Sequence, residues 1–229
     1  MAIAIGATTT DATSAAGATS LTLSHQTVAG TDRLLLVRVA ARHDTDAITV
    51  TYGGTAMTRT TVSTSVPATN GMSAEIWSLI APPVGTANVV VALNETANDI
   101  VAAATNLTGV AQSGTFGAAV VAAVGDFIGS TRNVSSAAGE LVIDALTVLG
   151  SSGTITADTP QTVQANLRTG TATSDRALGA SSEPGAGTVS MNWTWPTTVA
   201  RAHVAIPIKP APDVVAGGAS ASVAGFVGD

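Results

Sequence analysis

The chain has 229 residues, of which 45% are hydrophobic and only 10% are charged, and its formal net charge is -6. It has no cysteine, which excludes disulfides, thiolate metal sites and a cysteine nucleophile. Its nine basic residues stand singly, which argues against a nucleic-acid-binding protein because phosphate backbones require clustered Lys and Arg.

The low charge content favours a protein that associates with other subunits. A surface with so few charges must be covered by Thr, Ser and small apolar side chains, and such surfaces tend to associate. The alternative is a bias of the coding sequence, because GC-rich codons enrich Ala, Thr, Val and Gly. Composition alone leaves both explanations open.

Residues 1–17 are small and polar after a short AIAI run, which predicts a strand at a sheet edge or an extended arm. They lack the basic start and the sustained apolar stretch of a secretory signal. The longest weakly apolar stretch, Phe116 to Val124, has about half the length that a membrane-spanning helix needs. We therefore expect no membrane partner.

The strongest local signal lies between residues 32 and 61. The apolar residues from Leu34 to Val37 and from Val39 to Ala41 predict a strand that is buried on both faces or nearly so. From Ile48 to Tyr52, apolar residues alternate with threonine, and Gly53 and Gly54 follow before the β-branched pattern resumes. Two glycines between such runs predict a two-residue hairpin, because only glycine takes a positive φ at both turn positions without steric cost.

The rest of the chain continues this pattern of short strands. Further strands are predicted at 19–24, 73–80, 88–93, 100–107, 133–136, 140–149, 162–167, 188–195 and 199–209. Loops or turns are predicted at 62–71 and 81–85, an irregular crossing at 109–129, and a long polar loop or weak strand pair at 170–187. No stretch shows a helical apolar stripe. The fold class is therefore all-β, an antiparallel β-sandwich that we expect to be jelly-roll-like, with two sheets of four or five strands and extended terminal arms.

The order of these pieces also resembles a known module. The matching stretches are LLLVRVA, VTYGGTAM, IWSLIAPPVGTANVVV, LTGVAQSGTFGA, SAAGELVIDAL, VSMNWTW and HVAIPIKPA. Together they resemble a β-sandwich module of bacteriophage virion proteins and bacterial surface proteins, over roughly Thr19 to Ala211. These motifs are structural, so the resemblance implies a fold and brings no catalytic residue. We expect a domain at 19–211, an arm or edge strand at 1–18 and a tail at 212–229.

Metal binding has little support in the sequence. The three histidines, His25, His43 and His203, show no HxH or HExxH spacing, so no zinc site is indicated. Asp44 and Asp46 could offer two carboxylates to calcium, but calcium loops normally supply three or more oxygen side chains with a glycine turn. We interpret this segment as a solvated loop, and expect neither a metal nor a cofactor.

Catalysis has little support either. Asp144 stands among apolar residues in a predicted strand, and we expect it to face solvent rather than act as a general base. A Ser-His-Asp triad is conceivable in a serine-rich chain, but no G-x-S-x-G motif is present. A glycosidase would need two carboxylates about 5–10 Å apart in a cleft. We therefore expect a protein that is not an enzyme.

The tryptophans allow two interpretations. Trp193 and Trp195 share one face of a predicted strand in a chain with only 3% aromatic residues. Their rings could form a platform for a glycan. The alternative, which we favour, is packing in a core or an interface, where large aromatic side chains contribute much of the burial energy.

These observations predict a structural virion protein, a bacteriophage capsid decoration protein or related head or tail component. The resemblance implies a homo-oligomer, with a trimer favoured, that binds other virion subunits. Alone in water, the tail would bury too little apolar surface to offset an ordering entropy of about 1–2 kcal/mol per residue. We therefore predict that it is disordered in an isolated subunit and becomes ordered against a neighbouring subunit, with Val214, Val215, Val223 and Phe226 as its apolar contacts. The alternative is a carbohydrate- or receptor-binding module of a phage fibre or an extracellular bacterial surface.

Overall fold

The computed structural model describes residues 1–13, 17–42, 48–65, 71–97, 99–122 and 125–213. These residues form sixteen β-strands, a short 3-10 helix (Gly150–Ser152) and no α-helix, so the all-β prediction is confirmed. The strands are β1 (Ala4–Thr13), β2 (Ala18–Thr27), β3 (Leu34–Ala41), β4 (Ile48–Tyr52), β5 (Thr55–Ala56), β6 (Thr58–Ser65), β7 (Met72–Ile80), β8 (Gly85–Ala97), β9 (Ile100–Thr108), β10 (Val120–Val121), β11 (Gly125–Ser135), β12 (Leu141–Leu149), β13 (Thr156–Ala157), β14 (Thr162–Arg168), β15 (Arg176–Pro184) and β16 (Thr188–Ile208).

The strands form three antiparallel sheets that pack together. The central sheet has the order β1-β9-β3-β7-β6, and the outer sheet has the order β2-β8-β4-β5. The C-terminal sheet has the order β10-β16-β12-β15-β14, with β11 and β13 also paired to β16. The β-sandwich class is therefore confirmed, whereas the prediction of only two sheets is wrong and the jelly-roll connectivity is not confirmed.

Strand β3 lies in the middle of the central sheet and is buried along its whole length, as predicted. Successive side chains of a strand point to opposite faces, so β3 contributes to two cores at once. Leu35, Val37 and Val39 pack towards the outer sheet, and Leu34 and Leu36 pack towards the C-terminal sheet.

The first core fills the space between the outer and central sheets. Its members are almost all apolar: Leu21, Leu23, Leu35, Val37, Val39, Ala41, Ile48, Val50, Tyr52, Met57, Trp77, Val89, Val91, Leu93, Ile100, Ala102 and Ala104. The predicted hairpin closes one edge of it, since Tyr52 pairs with Thr55 across Gly53 and Gly54, whose φ angles are 55° and 81°. Positive φ at both positions is what a type I′ turn requires, so the hairpin prediction is confirmed.

The second core lies between the central and C-terminal sheets. It contains Leu34, Leu36, Ile76, Leu107, Val110, Leu141, Ile143, Ala145, Val204, Ile206 and Ile208. Because Ile143 and Ala145 point into this core, the side chains of Val142 and Asp144 point to the far face of the C-terminal sheet.

That far face is covered by the first part of β16, the longest strand, which bends over it. Phe127 on β11 pairs with Val199 on β16, but Gly129 pairs with Thr194, so β16 bulges between these two pairs. Bulges bend strands, and this one lets the first part of β16 fold with β11 over β12. Trp193, Trp195 and Met191 are buried there as a result. The chain predicted as two strands at 188–195 and 199–209 is a single strand.

Strand β15 contradicts the prediction for its part of the chain. Residues 170–187 were predicted as a loop or a weak strand pair, yet β15 is a central strand between β12 and β14, and its first seven residues are buried. The small side chains of β15 give no hydrophobic pattern from which a buried central strand could be predicted. A Cβ atom on Gly179 would lie only 3.0–3.1 Å from the ring of Trp193, so the indole supplies the bulk that the strand lacks.

Two other element boundaries also differ. Strand β6 runs to Ser65, although a loop was predicted from residue 62, and β11 begins at Gly125 inside the predicted irregular crossing. At the N-terminus, β1 pairs with β9 and with no other strand of the described residues, so it is the edge strand that was one of two expectations. The tail anchors Val214, Val215, Val223 and Phe226 lie outside the described residues, so that contact stays a prediction.

Candidate functional site

The far face of the C-terminal sheet holds a buried polar cluster around Asp144, which we call the Asp144 cluster: Ser130 (β11), Asp144 (β12), Ser181 (β15), Trp193 and His203 (β16). Asp144 is 0% exposed, so the prediction that it faces solvent is wrong. The alternation of its strand was correct, but the face opposite Ile143 is covered by a further layer of strands instead of water.

Four hydrogen-bond donors surround the Asp144 carboxylate. Oδ1 accepts the backbone N–H of Ser181 at 2.7 Å and its hydroxyl at 2.8 Å. Oδ2 accepts Trp193 Nε1 at 2.7 Å and His203 Nε2 at 3.1 Å. A buried carboxylate is tolerated when its oxygens are satisfied in this way.

The same bonds determine where the proton of His203 lies. Nε2 must carry a hydrogen to donate to the carboxylate, so Nδ1 accepts the hydroxyl of Ser130 at 2.9 Å. Burial lowers the pKa of His203; the hydrogen bond and charge of Asp144 oppose this, and the positive charges of Arg132 and Arg201 reinforce it. The imidazole is therefore neutral near neutral pH.

Ser130, His203 and Asp144 thus form the three-residue chain that was dismissed for lack of a motif. In serine hydrolases such a chain activates the serine as a nucleophile. Here His203 and Asp144 are 0% exposed and Ser130 is 5% exposed, so a substrate cannot reach the serine. The residues are 59 and 73 positions apart in the sequence, and no local motif could have revealed them.

A second polar group adjoins this cluster at the start of β14. Gln161 donates from Nε2 to Ser181 Oγ at 2.7 Å and accepts the backbone N–H of Asn192 on Oε1 at 2.6 Å. Three residues later, Gln164 donates to Ser182 Oγ at 2.7 Å and accepts from the Arg38 guanidinium at 3.1 Å.

Arg38 is a further buried charge that sequence reasoning missed. It lies on β3 inside the interface of the central and C-terminal sheets, and burial lowers its pKa to about 10, while the charge of Asp144 opposes that shift. No pattern distinguishes it from an exposed arginine, because its neighbours in an all-buried strand show no alternation.

The structure does not support a glycan platform at Trp193 and Trp195. These side chains are 0% and 4% exposed, and their indole nitrogens donate to Asp144 and to the carbonyl of Phe127. Their ring faces are therefore not free to stack on a sugar, and the alternative of core packing is confirmed.

Two of the histidines that were considered as metal ligands lie in different parts of the structure. His25 is buried on β2 with its Nδ1 against Thr9 Oγ1 at 3.0 Å, and His203 belongs to the Asp144 cluster. His43, Asp44 and Asp46 lie outside the described residues. Within the part of the chain that the structure describes, no group of three or more His, Cys, Asp or Glu side chains could hold a metal ion.

Several large apolar side chains remain at the surface. Val121 on β10 and Phe127 and Ile128 on β11 are 48%, 45% and 61% exposed, and the guanidinium of Arg201 lies 4.3 Å from the ring centroid of Phe127. A separate open pocket of about 340 Å³ is lined by Asp32, Ala111, Gln112, Ser113, Ala211 and Pro212.

Comparisons with protein-family models, with curated proteins and with solved structures found no match. Among the described residues, no helix is long and apolar enough to cross a membrane.

Proposed function

We propose that the chain is a structural subunit, not an enzyme, and that it acts by binding copies of itself and other protein subunits. The observation that carries this proposal is the contrast between its interior and its surface. The Ser-His-Asp chain is sealed in the core, while Val121, Phe127 and Ile128 are exposed on neighbouring strands of one sheet. Exposed apolar side chains mark a protein interface where they form one contiguous patch, and we propose that these three do.

The setting that we propose is a virus particle. The support for it is the sequence resemblance to bacteriophage virion modules, the charged fraction of only 10% and the sandwich of packed sheets. A capsid decoration protein, or a related head or tail component, needs a stable fold and a surface that binds other subunits, but no catalytic site. A homo-oligomer, favoured as a trimer, is the form that we propose.

Light scattering coupled to size-exclusion chromatography tests self-association. The full chain should show an oligomer, and the variant Val121→Ser/Ile128→Ser should shift towards the monomer. Val84→Ser is the matched control, because Val84 is 55% exposed in the turn that joins β7 of the central sheet to β8 of the outer sheet. A wild-type chain that stays monomeric over the accessible concentration range would contradict self-association.

The virion setting has its own test. Antibodies against the purified chain should label intact particles recovered from cells that express the gene, as seen by electron microscopy. Labelling confined to the outer surface of the bacterial cell would favour the receptor-binding alternative instead.

A further inference from the structure

Ser181 holds its hydroxyl between a base and an amide. Oγ donates to Asp144 Oδ1 at 2.8 Å and accepts from Gln161 Nε2 at 2.7 Å. The amide carbon of Gln161 is bonded to that nitrogen, so it lies no more than about 4 Å from Ser181 Oγ. A hydroxyl nucleophile, a carboxylate base and an electrophilic carbon are therefore neighbours, and a rotation of the Gln161 amide would turn its carbon towards the hydroxyl.

The carbonyl oxygen of the same amide has a fixed donor. Gln161 Oε1 accepts the backbone N–H of Asn192 at 2.6 Å. If Ser181 Oγ adds to the amide carbon, negative charge develops on this oxygen, and a pre-positioned N–H stabilises it as an oxyanion hole does. Asp144 is itself held in place by Trp193 and His203.

Burial adds a second condition. Asp144, Ser181 and Trp193 are 0% exposed, so bulk water does not reach the hydroxyl. Exclusion of water strengthens the electrostatic contacts of the base, although Gln161 itself is only half-buried.

We propose that Ser181 and Gln161 join in an intramolecular ester. Asp144 takes the hydroxyl proton as Ser181 Oγ bonds to the amide carbon, and the tetrahedral intermediate places its charge on Gln161 Oε1. The proton passes from Asp144 to the amide nitrogen, the C–N bond breaks and ammonia leaves. The product is a Ser181–Gln161 ester, and no oxidant or external reactant is needed.

The bond would fasten an edge strand. Within the described part of the chain, strand β14 ends the C-terminal sheet and pairs with β15 alone, and Gln161 immediately precedes it. A covalent tie between Gln161 and Ser181 removes conformational freedom from the unfolded chain, as a disulfide does. This inference does not depend on the proposed function.

The neighbouring pair, Gln164 and Ser182, provides a natural control. Its amide nitrogen also lies 2.7 Å from a serine hydroxyl, but its carbonyl oxygen accepts from Arg38. Among the described residues, no carboxylate hydrogen-bonds to Ser182. Without a base, this pair should stay an ordinary hydrogen bond.

Mass spectrometry of the full chain, stored folded at neutral pH for days, tests the proposal. The expected product is lighter by one molecule of ammonia, and trypsin should release residues 133–168 joined to residues 177–201. The joined peptides distinguish the ester from loss of ammonia within one peptide, such as succinimide formation at asparagine. Mild alkali should separate them.

Three variants locate the reaction. Ser181→Ala and Gln161→Met should abolish the joined peptides, and Gln164→Met should leave them intact. If Ser181→Ala fails to fold, Gln161→Met, which keeps the buried carboxylate and its four donors, still decides. A wild-type chain that keeps its full mass after prolonged storage, or joined peptides that persist in Gln161→Met, would overturn the proposal.

Discussion

The first core and the Asp144 cluster stabilise the same protein in different ways. The first core consists almost entirely of aliphatic and aromatic side chains, and its stability comes from apolar surface removed from water. The Asp144 cluster buries a carboxylate, an imidazole and two hydroxyls. These polar groups are tolerated in the interior only because each has a hydrogen-bond partner. Removal of any one side chain therefore leaves a buried donor or acceptor of another residue without a partner. Substitutions in the first core should lower the stability in proportion to the apolar area lost, whereas the Asp144 cluster requires all of its hydrogen bonds.

The largest expected effect is that of Asp144→Ala. It leaves Trp193 Nε1, His203 Nε2 and the Ser181 N–H buried without their acceptor, so we expect the free energy of unfolding to fall by about 4 kcal/mol or more. Urea denaturation followed by tryptophan fluorescence measures it. Leu35→Ala in the first core should cost about 3 kcal/mol, and the exposed Asp126→Ala less than about 0.5 kcal/mol. An Asp144→Ala variant more stable than Leu35→Ala would invalidate the comparison.

The second expected effect is a decrease in stability at acid pH that originates in the Asp144 cluster. The pKa of His203 lies below its ordinary value of 6.5 because of burial, so the unfolded chain takes up a proton there before the folded protein does. Stability is complete above about pH 6.5 and falls as the pH decreases towards the folded-state pKa. Denaturant midpoints measured from about pH 8 to about pH 5 should show this decrease.

His203→Gln is the matched variant for this pH dependence. Its amide can still donate to Asp144 but does not titrate, so the decrease in stability should become smaller. Burial also lowers the pKa of His25, which accounts for a remaining part of the slope. An unchanged slope in His203→Gln would show that the cluster does not sense pH.

The smallest effect per residue concerns the hairpin at the edge of the first core. Replacing Gly53 and Gly54 by Val forces two β-branched residues to positive φ, which should cost about 1–2 kcal/mol for each residue. Gly187→Val is the control, since its Cβ would meet nothing within 4 Å and its φ is not positive. Thermal unfolding measures the difference. A hairpin variant that melts like wild type would mean that the turn does not need glycine.

The sequence predicted the first core well because one face of each outer strand meets water. Leu21 and Leu23, like Ile48 and Val50, alternate with exposed polar residues, and this alternation directly gives the strand and its inward face. The hairpin turn was predicted equally well, because positive φ at both turn positions favours glycine on steric grounds.

The Asp144 cluster could not be predicted in the same way. Alternation shows that Asp144 and Ile143 face opposite sides, but it does not tell whether the second side meets water or another layer. That layer forms because β16 bends, and the bend depends on tertiary structure that the local sequence pattern does not show. In β15, Leu178 is the only large apolar side chain, because Trp193 fills the space over Gly179. The partners of Asp144 come from three different strands, so no spacing reveals them.

The division of the three sheets along the chain has a consequence for synthesis. Strands β1 to β9 complete the central and outer sheets, and only β10 to β16 supply the third. On the ribosome, the first half can fold while Leu34, Leu36 and Ile76 still lack their cover. At typical elongation rates the remaining strands arrive after on the order of 10 s. During that interval each nascent chain presents an apolar β-face to chaperones and to nascent chains on neighbouring ribosomes of the same message.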